Sequence, residues 1–138
     1  MFLQCPANLV LPAVAEALGA DRALAVQSLG RWSPYVGRGV REQILLDPVD
    51  NHLTLELIDD CYNANPASMK AAIGLLHELG AGARTIAVLG DMLELGPNAP
   101  EWHREVGGYV ARQGIHYLIA CGALGQGIAE GARGAGMA

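Results

Sequence analysis

Basic residues are scarce in this sequence: nine Lys and Arg stand against fourteen Asp and Glu, a formal charge of −5. They are also scattered, whereas a nucleic-acid surface needs Lys and Arg clustered on one face. Cysteine is scarce too. Cys5, Cys61 and Cys121 form neither a Cys-x-x-Cys pair nor an even set, which suits a reducing compartment better than a disulfide framework. Long apolar runs are missing. The stretch Leu9 to Ala15 is far below the roughly 20 residues that span a bilayer, and Met1 to Pro6 has no basic leader pattern. The expectation is a cytoplasmic protein with no membrane span. No Gly-x-x-x-x-Gly-Lys-Ser/Thr phosphate loop occurs anywhere in the 138 residues.

What is present is enough for a core. Half the residues, 51%, are hydrophobic and only 17% are charged, so disorder is excluded and one ordinary domain's worth of chain is expected. Two helical segments come first. Asn8 to Leu18 is dense in Ala, Leu and Val, with Pro12 either starting or kinking it; Asp21 caps a second, Arg22 to Trp32, with Leu24, Ser28 and Leu29 on one face. From Val40 the period becomes extended. Arg41 to Leu46 and His52 to Ile58 read as strands around the polar turn Asp47 to Asn51.

The chain then alternates. A helix over Pro66 to Leu79 carries Met69, Ile73, Leu76 and Leu79 on one face. Next come a strand over Thr85 to Leu89, an amphipathic helix near Pro100 to Gln113, a strand over His116 to Cys121 and a Gly-rich helix over Leu124 to Arg133. Apolar strands separated by helices predict an α/β fold: a Rossmann-like, mostly parallel sheet with helices on both faces, preceded by a short helical segment. In such sheets ligands collect outside the carboxyl ends of the strands, here Asp59-Asp60, Gly90-Asp91 and Gly122.

The run Asp59-Asp60-Cys61-Tyr62-Asn63-Ala64-Asn65-Pro66-Ala67-Ser68-Met69 carries the most information. Asn65 is a strong N-cap and Pro66 suits the first helical position, so a well-built strand-to-helix turn explains part of it. Two adjacent Asp, a Tyr and two Asn exceed what such a turn needs. Asp91 and Glu94 follow a strand in Leu89 to Gly96, where they either meet a ligand or order the loop. His103 and His116 have no metal-ligand neighbour at useful spacing and read as structural or solvated; no metal site is expected in this chain. Gly122-Ala123-Leu124-Gly125-Gln126-Gly127 has its glycines at the wrong places for a dinucleotide fingerprint.

Asp-Asp-x-Tyr-Asn-Ala-Asn-Pro-x-Ser-Met over Asp59 to Met69 closely resembles the opening of the C-terminal domain in the MurF family of Mur ligases. Leu89 to Gly96 resembles that family's second strand-end loop, and Gly37-Arg38-Gly39 its turn at the junction of central and C-terminal domains. The resemblance implies that residues 1–39 end a central, ATP-binding domain and that 40–138 form a C-terminal domain truncated at its end. It implies ligation of D-alanyl-D-alanine to UDP-N-acetylmuramoyl-tripeptide in peptidoglycan synthesis, using ATP and Mg2+ through an acyl phosphate, by an intact enzyme that is a monomer. It further implies Arg38 on the ATP phosphates, Asp60 or Asp59 on the ribose hydroxyls, and Tyr62, Asn63, Asn65, Asp91 and Glu94 toward substrate. The family's phosphate loop, Mg2+ ligands, UDP-binding domain and late Lys-Gly-Ser segment have no counterpart here. The resemblance therefore assigns catalysis to no residue of this chain. Gln4 to Asn8 lacks the His of the family's nucleotide-contacting helix. Two other readings stay open: a non-catalytic nucleotide-binding or interaction module, and another Mur or folylpolyglutamate-type ligase. Tyr62 to Pro66 argues against the latter, whose members resemble Asp-x-Ala-His-x-Pro.

Overall fold

The computed structural model describes residues 12–31, 33–50 and 52–138. The expected helical start from Asn8, and the Gln4 to Asn8 stretch, lie outside them. The chain divides into two compact units, Met1–Asp59 and Asp60–Ala138.

In the first unit, residues 12–17 are helical (α1). Helix α2 spans Arg22–Leu29 and begins where Asp21 Oδ1 accepts the N–H groups of Ala23 (2.7 Å) and Leu24 (3.0 Å). These two N–H groups have no partner inside the helix, so the carboxylate replaces water there. Strands β1 (Val40–Leu45) and β2 (Thr54–Asp59) form an antiparallel hairpin in which Val40 faces Asp59 and Leu45 faces Thr54. The connection is stiffened by Asp47 Oδ1, which accepts from Val49 N–H at 2.7 Å, and by Asp50 Oδ1, which accepts from His52 N–H at 2.9 Å. Arg41 and Glu56, diagonal neighbours on one hairpin face, form an exposed ion pair.

In the second unit, α3 (Pro66–Leu79) leads to β3 (Ile86–Leu89). A 3₁₀ turn over Gly96–Asn98 follows, then α4 (Ala99–Arg112), β4 (Tyr117–Ala120) and α5 (Gly125–Gly134). β3 and β4 pair in parallel, Ile86 opposite Tyr117 and Leu89 opposite Ala120. The α/β class and the helical and extended segments match the sequence reading closely. Among the described residues, however, the parallel relation is confined to β3 and β4, and the hairpin strands pair with each other. One face of the parallel pair, with Ala87, Leu89 and Leu118, packs against Ile73, Met92, Val106, Val110 and Ile115. On its other face Ile86, Val88, Tyr117 and Ile119 are all about half exposed or more. Helices on both faces were expected; no described helix covers this second face.

The tightest packing lies between α4 and α5. A Cβ added at Gly107 would sit 1.9 Å from the Ile128 carbonyl oxygen, and one at Gly131 would sit 2.0 Å from the Arg104 carbonyl oxygen. The helices touch backbone to backbone, a separation that any side chain at either position would forbid. Ile128 and Ala132 are buried by this approach. Gly107→Ala and Gly131→Ala should each destabilise the unit by about 1–3 kcal/mol, through forced separation of the helices. Gly134→Ala, with nothing within 4 Å, should be neutral or stabilise by up to about 1 kcal/mol. Urea denaturation followed by circular dichroism checks the contrast; equal midpoints for Gly107→Ala and Gly134→Ala would refute it.

Candidate functional site

The residues singled out above fall into three local clusters. In the first unit, the Gly37-Arg38-Gly39 turn uses positive φ at both glycines, +77° and +78°, a region L side chains rarely adopt. This turn is fastened to the end of β2. Gly37 N–H donates to Asp59 Oδ2 at 3.1 Å, Gly39 N–H to the Asp59 carbonyl at 2.7 Å, and Arg38 N–H to the Tyr35 carbonyl at 3.0 Å. Asp59 thus shapes the Arg38 turn across 22 residues of sequence. All three turn N–H groups are engaged internally, so this loop is no backbone cradle for an anion.

In the second unit, Asp60, Cys61, Tyr62 and Asn63 form an exposed segment ahead of α3. Asn65 Oδ1 accepts from Ala67 N–H (3.0 Å) and Ser68 N–H (2.9 Å), while Ser68 Oγ accepts from Asn65 N–H (3.0 Å), a reciprocal capping box. Asn63 has a local role the sequence did not reveal: its Oδ1 accepts from the N–H of Ala64 at 2.8 Å. Cys61 and Cys121 are exposed.

The third cluster is the loop after β3. Asp91 directs both carboxylate oxygens at the start of α5, Oδ2 accepting from Ala123 N–H and Oδ1 from Leu124 N–H, each at 2.9 Å. The residue before α5, Leu124, has no side chain able to cap it, and Asp91 instead fixes the two residues that lead into the helix. Gly122 makes this possible. Its φ is +94°, and a Cβ there would lie 2.4 Å from the Asp91 carboxyl carbon. Glu94 is exposed and holds a φ of +60°, the one positive value among the described non-glycine residues.

His103 and His116 are structural in their contacts. His103 is fully buried and bonds the Met92 N–H and the Ala99 carbonyl. His116 Nδ1 accepts from Thr85 N–H at 3.1 Å, and its own N–H donates to Thr85 Oγ1 at 3.2 Å, linking the starts of β3 and β4. Spacing alone could not separate these roles, because the Met92 and Thr85 partners lie 11 and 31 residues away. No group of three or more His, Cys, Asp or Glu able to hold a metal ion occurs among the described residues.

A family profile described as "Mur ligase, glutamate ligase domain" matches residues 46–138. The chain belongs to the Mur ligase family. Its likeness is to the MurF branch. It is 46% identical over 78 residues to the UDP-N-acetylmuramoyl-tripeptide--D-alanyl-D-alanine ligase of Bacillus subtilis, covering 56% of this chain and 17% of that protein. Against the same-named ligase of Rickettsia prowazekii it is 32% identical over 110 residues, covering 80% of this chain and 22% of that one. A crystal structure of MurF from Acinetobacter baumannii superposes with a TM-score of 0.70 at 32% identity, over 86% of this chain and 24% of the larger one. The chain therefore spans about a fifth of the length of the curated relatives it matches.

The capping box sets a local expectation. Asn65→Ala leaves two N–H groups of this Mur ligase helix without their acceptor and should cost about 1 kcal/mol. Asn63→Ala removes a single exposed contact to the next residue and should cost only a few tenths of a kcal/mol. Chemical denaturation of both variants tests this ranking; a reversed order would refute it.

Proposed function

We propose that this chain is part of an ATP-dependent ligase that joins D-alanyl-D-alanine to UDP-N-acetylmuramoyl-tripeptide in cytoplasmic peptidoglycan synthesis. In this reading residues 1–39 close the central domain and residues 40–138 form most of the C-terminal domain of a monomeric enzyme. The observation that carries it is the run Asp59 to Met69, set at a strand end and a helix start, in a chain whose relatives bear that ligase's name.

The chemistry asks for two things. ATP transfers its terminal phosphoryl group to the tripeptide carboxylate, giving an acyl phosphate and ADP. The dipeptide amine then attacks the acyl carbon, the C–O bond to phosphate breaks, the amine loses its proton and inorganic phosphate leaves. An enzyme for this reaction must offset phosphate charge and hold amine and acyl carbon in contact. Arg38 suits the first task, since its forked guanidinium matches phosphate oxygens and its turn is braced by Asp59. Asp60, exposed beside the half-buried Asp59, suits the ribose hydroxyls. Tyr62, Asn63 and Asn65 line the approach for substrate, and Asp91 and Glu94 contribute from the second strand-end loop. For Asp91 that contribution works through the segment leading into α5, since its oxygens already accept the Ala123 and Leu124 N–H groups. Mg2+ finds no fitting three-ligand cluster among the described residues.

Two outcomes test the reading. The 138-residue chain by itself should release no phosphate from ATP above the buffer blank, because it contains no phosphate-loop motif. In a complete ligase carrying this chain, Asn63→Ala should slow ligation about 30- to 1,000-fold, the loss expected for a hydrogen bond to a charged or transition-state group. Its melting midpoint should barely move. Normal ligation, or a loss explained by unfolding, would remove Asn63 from the site.

A further inference from the structure

The loop after β3 is pinned from beneath and open above. Met92 is 1% exposed and Leu95 packs against the same core, while Leu93 between them is 71% exposed and Glu94 is exposed beside it. Glu94 also holds its left-handed backbone, which a residue with a Cβ adopts only when its surroundings dictate it. A third anchor holds the same loop. The ring of His103, at 0% exposure, accepts the Met92 N–H on Nε2 at 2.9 Å and donates from Nδ1 to the Ala99 carbonyl at 2.6 Å. The roles are forced, since an amide N–H can only donate and a carbonyl can only accept. One uncharged tautomer satisfies both. An apolar residue at this place would fill the space but leave the Met92 N–H buried without a partner.

We propose that His103 is a positioning residue: through the Met92 N–H it holds the loop 92–95 in the strained form that presents Leu93 and Glu94 outward to the incoming amine substrate. The substrate half of this statement rests on the function proposed above; the clamp itself rests on geometry alone. His103 touches no solvent, and Glu94 reaches the ligand in its place. α5 seals the arrangement, since Gly127 lies against the His103 side chain, where a Cβ would come within 3.5 Å of that of His103.

Two near-isosteric substitutions separate the clamp from mere packing. Gln reaches as far as Nε2 and can accept the Met92 N–H, whereas Asn matches only the Nδ1 side and falls short of Met92. In the 138-residue chain, His103→Asn should speed hydrogen exchange of the Met92 amide about tenfold or more. The Tyr117 amide, bonded to the Thr85 carbonyl at 3.1 Å, should stay protected. His103→Gln should restore protection at Met92. In a complete ligase carrying this chain, His103→Asn should raise KM for D-alanyl-D-alanine several-fold more than His103→Gln does, with KM for ATP unchanged in both. A Met92 amide that stays protected in His103→Asn overturns the proposal. So does equal loss of protection at Tyr117, which would make the imidazole a general core residue. Glu94→Gln, measured beside them, isolates the functional reading: an unchanged KM for the dipeptide overturns the substrate contact, while the exchange results still decide the clamp.

Discussion

The second compact unit depends on how closely α4 and α5 approach. Gly107 and Gly131 let the two helix backbones touch, and no other residue type would permit that separation. From this contact the rest follows in order. α5 comes to lie over His103 and keeps its ring dry; the start of α5 comes within reach of the Asp91 carboxylate; and the loop between Asp91 and Leu95 is then held at both ends. A wider helix pair would admit water to the imidazole and draw the segment leading into α5 away from the Asp91 carboxylate. The low side-chain volume of this Gly-rich helix, which makes it a poor helix by propensity, is what its packing requires.

A common economy runs through the loops. Asp59, Asn65 and Asp91 all stand at strand ends or helix starts, and each accepts backbone N–H groups that would otherwise lack partners. Polar residues at such places have two duties that are easily confused, shaping the loop and meeting a ligand. Asp59 performs the first, because its carboxylate at the end of β2 shapes the turn bearing Arg38. Substituting a loop-shaping residue of this kind disturbs its neighbours' geometry as well as its own contacts. Residues whose backbone duties are slight, such as Asn63 and Glu94, are the cleaner probes of chemistry.

Much of the fold was legible because it is written in local patterns. The helix Pro66–Leu79 has its Asn-Pro start and Gly80 stop in sequence order, and its apolar residues recur at helical spacing. The hairpin was equally plain from two extended runs around a turn rich in Asp and Pro. What was less legible was how the strands associate. Apolar strands between helices suggest a parallel sheet, but pairing is a long-range choice. Here β2 lies against β1, its paired residues 9 to 19 places apart across the turn, rather than continuing the parallel pair. The outward face of β3 and β4 follows the same logic: its Ile86, Val88, Tyr117 and Ile119 read as core residues from sequence, and only the arrangement of helices decides which apolar face is packed.

The sequence by itself determined the family resemblance, the α/β class, the two strand-end loops and the Asn65 cap, because each is carried by residue types at short fixed spacing. It could not determine what the polar side chains in those loops touch. Whether Asp91 faces a ligand or the α5 backbone turns on a partner 32 residues further along the chain, brought in by the helix contact. His103 read as an unremarkable helical histidine until the fold placed a buried N–H against it, 11 residues back in sequence. Spacing rules describe neighbours within a turn or two of chain, whereas hydrogen-bond partners in a packed core are chosen by tertiary proximity, and that choice exists only once the helices and strands have met.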